Sequence, residues 1–180
     1  MTFRLSQLED MVSWCSTCEE LAGEREEASR AFFGDDDPRP VRYWPGAGDH
    51  TSKQRRFLGW FTLGYTLADG RRPGQAAAEE MYGGRALEEA DRAVQGARHV
   101  LAIVTTVIPG GSIILELEEE RLEVRSKTLS WILSRGLALV SYLVPTRPRL
   151  WIPGPGWLEW PLVVGPGMRR ELKKFQIDPL

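Results

Sequence analysis

Leu5, Leu8, Val12 and Cys15 recur three or four residues apart, and Cys18 and Ala22 extend the stripe. This period predicts an amphipathic helix from about residue 6 to 33, with a break at Gly23. Ser6 and Glu9 stand at capping-box spacing at its start. The stretch 34–50, GDDDPRPVRYWPGAGDH, loses the pattern to proline, glycine and aspartate and predicts a loop. Thr51 and Gln54 repeat the capping spacing ahead of Phe57, Leu58, Trp60 and Phe61, so a second helix is expected to run to about Gly64. Pro73 opens a short helix through Met81, as proline suits a first helical turn, and Gly83-Gly84 closes it. Leu87, Ala90, Val94 and Ala97 mark one more.

After His99 the period shortens to two. Val100 to Ile108 is a β-branched run bounded by Pro109-Gly110-Gly111. Ile113, Leu115 and Leu117, then Leu122 and Val124, alternate with polar or charged neighbours as a hairpin turning near Glu119-Glu120. Further strands are expected at Leu137 to Val144 and, after a Pro153-Gly154-Pro155-Gly156 loop, at Trp157 to Val164, with a terminal helix from Met168 to Phe175. A sheet this small leaves two exposed edges unless it closes on itself. The expected fold is therefore α+β: a helical domain over 1–98 with its Pro/Gly/Asp-rich loop at 34–50, then a small antiparallel β-barrel with a C-terminal helix over 99–180. The barrel is SH3-like or OB-like; strand order decides, and periodicity does not carry strand order.

Composition narrows the class. The 180 residues, 42% hydrophobic, suffice for a real core, which argues against a disordered chain. The longest uncharged stretch, from about His99 to Ile114, is interrupted by Pro109 and two glycines and does not read as a membrane span, nor do residues 1–10 read as a secretory signal. A cytoplasmic protein is expected. Two cysteines make no disulfide scaffold. The 23 basic and 25 acidic residues nearly cancel, which opposes a whole-molecule nucleic-acid footprint.

The segments RRFLGWFTLGYTLADGRRPGQAAAEEMY (Arg55 to Tyr82) and VLAIVTTVIPGGSIILELEEERLEVRSKTLSWILSRGLALVSYLVPTRPRLWIPGPGW (Val100 to Trp157) resemble an uncharacterised bacterial family that joins a helical part to a small β-barrel, sometimes beside a cysteine-rich SEC-C zinc motif. The resemblance implies the same architecture and no particular activity. The zinc motif itself is absent, as Cys15 and Cys18 lie at the opposite end of the chain.

Candidate chemistry is sparse. Cys15-Ser16-Thr17-Cys18 has CxxC spacing, but a helix runs through it and only the distant His50 and His99 are offered as further ligands, so packing cysteines are expected and no metal or cofactor. Asp35-Asp36-Asp37 and Asp49-His50 lack the alternation of a calcium loop. Neither GxSxG, a Walker loop, HExxH nor a Rossmann fingerprint is present, and the expectation is a protein without catalytic activity. The first reading is a protein-interaction or adaptor module, with an unidentified protein or a second copy as partner, acting through Tyr43, Trp44, Phe57, Trp60, Phe61 and Tyr65, because aromatics dominate interface hot spots. The alternative is single-stranded nucleic acid, RNA above all, held by Arg147, Arg149, Trp151, Trp157, Trp160, Arg169, Arg170, Lys173 and Lys174, where bases would stack and cations meet phosphates.

Overall fold

The computed structural model describes residues 2–34, 53–117 and 120–160, with Trp160 described by its backbone alone. The 34–50 loop beyond Gly34, the end of the last strand beyond Trp160 and the expected C-terminal helix lie outside these residues.

The N-terminal stripe forms two helices instead of one: α1, Leu5–Thr17, and α2, Ala22–Phe33. The break falls at Cys18, ahead of Gly23, and Arg25 secures it by donating from one guanidinium nitrogen to the carbonyls of Cys15 and Cys18, both at 3.0 Å. Those carbonyls belong to the last turn, where a helix has no internal donors to offer. Ser6 is not the cap. The helix begins one residue after Arg4, whose backbone N–H donates to the Gln7 side chain at 3.0 Å. Helix α3 spans Lys53–Leu63, α4 Pro73–Met81 and α5 Gly84–Gln95.

Five strands follow: β1 Arg98–Ile108, β2 Ser112–Leu117, β3 Glu120–Arg125, β4 Ala138–Arg147 and β5 Leu150–Trp160. They close into a barrel in the order β1-β2-β3-β5-β4, with β4 returning to β1. All pairings are antiparallel except β3 with β5. This order, with its one parallel pair and a helix between β3 and β4, is the OB-like alternative. The long β1 serves two neighbours, β4 through Ile103 and β2 from Ile103 onward, and bends at a bulge between Val104 and Thr106. The helix between β3 and β4, α6 at Lys127–Ile132, was not expected from the sequence.

Two cores result. Val104, Ile113, Leu115, Leu122, Val124, Leu139 and Leu143 fill the barrel, and Leu129 and Leu133 of α6 join them as a plug. The other core lies among the helices and takes in Tyr142, Val144 and Ile152 from the outer face of β4 and β5. The helical part and the barrel thus share one apolar layer.

The expected Pro153–Gly156 loop is instead part of β5. Two facts make a strand with two prolines workable. Pairing with β3 is confined to Leu150 and Trp151, so beyond them one edge of β5 has no ladder bond for a proline to lose. That edge is covered by α3, and glycines permit the approach. A Cβ on Gly59 would collide with the Pro155 carbonyl oxygen, and one on Gly156 would stand 2.5 Å from the Arg56 nitrogen. Gly156 also adopts φ of 74°, a left-handed value that favours glycine.

Candidate functional site

The sequence-derived aromatic set is largely consumed by packing. Phe57 and Phe61 are buried at 1% and 0% exposure, their rings stacked 5.9 Å apart, and cannot contact a partner in the folded chain. Trp60 and Tyr65 are half-buried and sit against each other at 5.5 Å, while Phe32 of α2 packs on both Trp60 and Phe57. The Tyr65 hydroxyl donates to Glu24 at 3.0 Å, which ties α2 to the end of α3. Tyr43 and Trp44 lie outside the described residues. The set therefore acts mainly as the mortar between α2 and α3.

The nucleic-acid set divides. Arg147 and Arg149 flank the β4–β5 turn, and Trp151 follows at the start of β5, so these three do meet at one end of the barrel. There Arg98 lies over the Trp151 ring at 4.6 Å and donates to Glu120 at 2.7 Å, so that a cation of the chain itself occupies the ring face a base would use. Arg147 donates to the Thr2 hydroxyl at 3.1 Å. Trp157 is a core residue of the barrel, 4% exposed, and cannot stack on a base. The Trp160 side chain, Arg169, Arg170, Lys173 and Lys174 lie outside the described residues. On the outer face of β2 and β3, Glu116 pairs with Arg121 and Ile114 with Glu123, a mixed surface without an aromatic ring.

The cysteines behave as packing residues. Cys15 is fully buried and burial pushes its thiol up to about 12, away from the thiolate that metal binding or redox exchange requires. Among the described residues no group of three or more His, Cys, Asp and Glu is placed to hold a metal ion.

What the sequence reading missed is α6. Ser126 caps it, accepting from the Leu129 N–H at 3.1 Å, and the backbone holds it at both ends. The Ser126 N–H donates to Gly111 at 3.2 Å, and beyond the helix Gly136 donates to Val104 at 2.8 Å. Leu129 and Leu133, four residues apart, point into the barrel. The opposite side is left with Trp131 at 71% and Ile132 at 48% exposure. Trp131 lies over the β1–β2 turn, its nearest ring carbon 3.6 Å from where a Cβ on Gly110 would stand, and Ile108, 49% exposed, ends β1 at the same turn. Among the described residues, the large exposed apolar side chains of the barrel, Ile108, Trp131 and Ile132, thus gather at this turn and on the helix over it.

No protein-family model, curated protein or solved structure matches this chain.

Beside this face, a cavity of about 60 Å³ opens between α1, α3, α6 and β5. Leu5, Leu8, Val12, Pro153 and Trp157 give it apolar walls, Thr128 of α6 borders it, and Glu9 and Arg55 supply its charges. Burial raises the Glu9 carboxyl above its ordinary value, against the pull of the Arg55 cation. Thr128 is three residues before Trp131 on the same short helix, so the cavity and the apolar face adjoin.

Proposed function

We propose that this chain is a non-catalytic protein-interaction module that engages its partner through α6 and the β1–β2 turn, with Trp131 at the centre. The observation that carries the reading is the exposure of Trp131 beside Ile132 and Ile108 on a backbone pinned at both ends. Single exposed apolar residues need no explanation, but a contiguous group of large ones costs solubility unless something covers it. Tryptophan is also the residue most enriched where interfaces concentrate their energy. A helix turn pinned at both ends presents such a ring with little backbone left to order on binding. The aromatic helix α3, expected to serve as this surface, supports the reading indirectly by holding the barrel on the helical core.

The test is selection of short random peptides displayed on phage against the immobilised full-length protein, with the Trp131→Ala protein as counter-selection. The reading expects families of peptides that bind the wild type and lose the variant. Enrichment that Trp131→Ala leaves untouched rejects it. Single-stranded nucleic acid remains the second reading because Arg147, Arg149 and Trp151 share one barrel end. It requires binding of an oligonucleotide that falls steeply with salt and with Arg149→Glu.

A further inference from the structure

Resting on that reading, we infer that the segment received by this face is an acidic, apolar peptide, which seats an aromatic or aliphatic side chain against Trp131 and sets carboxylates opposite Arg125, Lys127 and Arg135. The argument is one of charge around the apolar face. Residues 124–137, which contain α6 and both of its anchors, include these three cations and no carboxylate. Residues 100–115, which supply the β1–β2 turn beneath Trp131, include no charged side chain. Arg125, Lys127 and Arg135 are exposed, and none forms an ion pair with a described residue.

The protein as a whole carries −2, whereas residues 124–137 hold three cations and no acid. Elsewhere several arginines are already engaged: Arg30 with Glu26, Arg71 with Asp69 and Glu79, Arg85 with Glu89, Arg98 with Glu120. A carboxylate arriving at α6 meets three cations that are paired with no acid among the described residues. Such a rim selects a partner by attraction for acids and by repulsion of bases, while the apolar centre supplies the affinity. Lys127 and Trp131 are four residues apart on one helix, so cation and ring lie on the same side. A peptide of alternating acidic and apolar character can satisfy both at once, and the adjoining cavity at Thr128 offers a niche for one further small apolar side chain.

The same selection reads the charge. Trp131-dependent peptides should carry net negative charge together with aromatic or aliphatic residues. A synthetic peptide from the enriched pool should bind the wild type and weaken about tenfold or more on Trp131→Ala. It should weaken similarly on the double change Lys127→Glu and Arg135→Glu, and as salt rises. That double variant should in turn prefer the same peptide with its acids replaced by lysine, an outcome that misfolding would not produce. Trp131-dependent peptides without an acidic bias would overturn this inference and leave the interaction reading standing. Absence of Trp131-dependent enrichment would overturn both. Trp131-dependent self-association in sedimentation, or Trp131-dependent binding to vesicles of phosphatidylglycerol and phosphatidylcholine, would assign the face to a second copy or a lipid surface and reject the peptide.

Discussion

The two sides of the barrel treat apolar surface in opposite ways. Where β4 and β5 meet the helices, everything large is covered: Tyr142, Val144 and Ile152 face Phe57, Phe61 and Leu63, and glycines at 59 and 156 let α3 and β5 touch backbone to backbone. At α6 and the β1–β2 turn the same barrel leaves a tryptophan and two isoleucines in water, although the helix that carries Trp131 and Ile132 is fixed by hydrogen bonds at both ends. The first surface is specified by its shape down to the absence of a methyl group. The second is specified only in its backbone, and its side chains are spare to the fold. Close complementarity marks a surface that stays within the molecule, whereas rigid backbone under uncovered side chains marks one available to another molecule.

Core truncation should give the largest effects. Phe61→Ala in the helical core and Leu129→Ala in the barrel plug each remove a fully buried side chain, and each should cost about 3 to 5 kcal/mol in chemical denaturation. Next comes the seam itself. Gly156→Ala places a Cβ against the Arg55 and Arg56 backbone at a left-handed φ, so strain and overpacking add to about 2 to 4 kcal/mol. If Gly156→Ala unfolds at the same denaturant concentration as wild type, α3 and β5 are not in the contact described here, and the comparison loses one of its halves.

That seam also explains which parts of the fold were legible in the sequence. The helices α3, α4 and α5 and the β2–β3 hairpin follow local rules, a proline at a first turn or apolar residues at period two, and their positions agree with the pattern to within a few residues. Pro153-Gly154-Pro155-Gly156 has the local signature of a loop and is a strand because of a non-local fact, the covering of its free edge by α3. The short helix α6 is hidden for the reverse reason. Six residues are too few to show a helical period, and its one local signal, Ser126 as cap, lacks the acid three positions on that would have completed a capping box. The candidate sites suffered accordingly. Aromatic residues are visible in sequence, but which face solvent depends on the partner element, so Phe57, Phe61 and Trp157 read as surface and are core, while no local pattern singles out Trp131.

The sealed side should also respond to pH where the open side does not. Burial pushes the Tyr142 phenol from 10.0 up to about 12, so the unfolded chain releases this proton first as pH rises. Its contribution is intact below pH 10 and is lost as pH climbs from there through about 12. Cys15, raised by burial from 9.0 to about 12, and Tyr65, raised from 10.0 to about 12, act in the same direction. Denaturation midpoints measured across this range should fall in wild type and fall less in Tyr142→Phe, which removes one of the three groups. An identical slope in the two proteins would show that Tyr142 is not held in the apolar layer between helices and barrel.

The smallest effect is the most informative about the open side. Trp131 shares its six-residue helix with Leu129, yet Trp131→Ala should change stability by no more than about 0.5 kcal/mol, because a ring that is 71% exposed already meets water in the folded chain. The two neighbours therefore predict opposite outcomes from substitutions of similar chemical size. A loss of stability on Trp131→Ala that approached the loss on Leu129→Ala would make the tryptophan a clamp over the Gly110 turn, and its exposure would then no longer argue for a partner. Unchanged stability leaves a large aromatic side chain that the fold holds in place and does not use, which is what the proposed contact with another molecule requires.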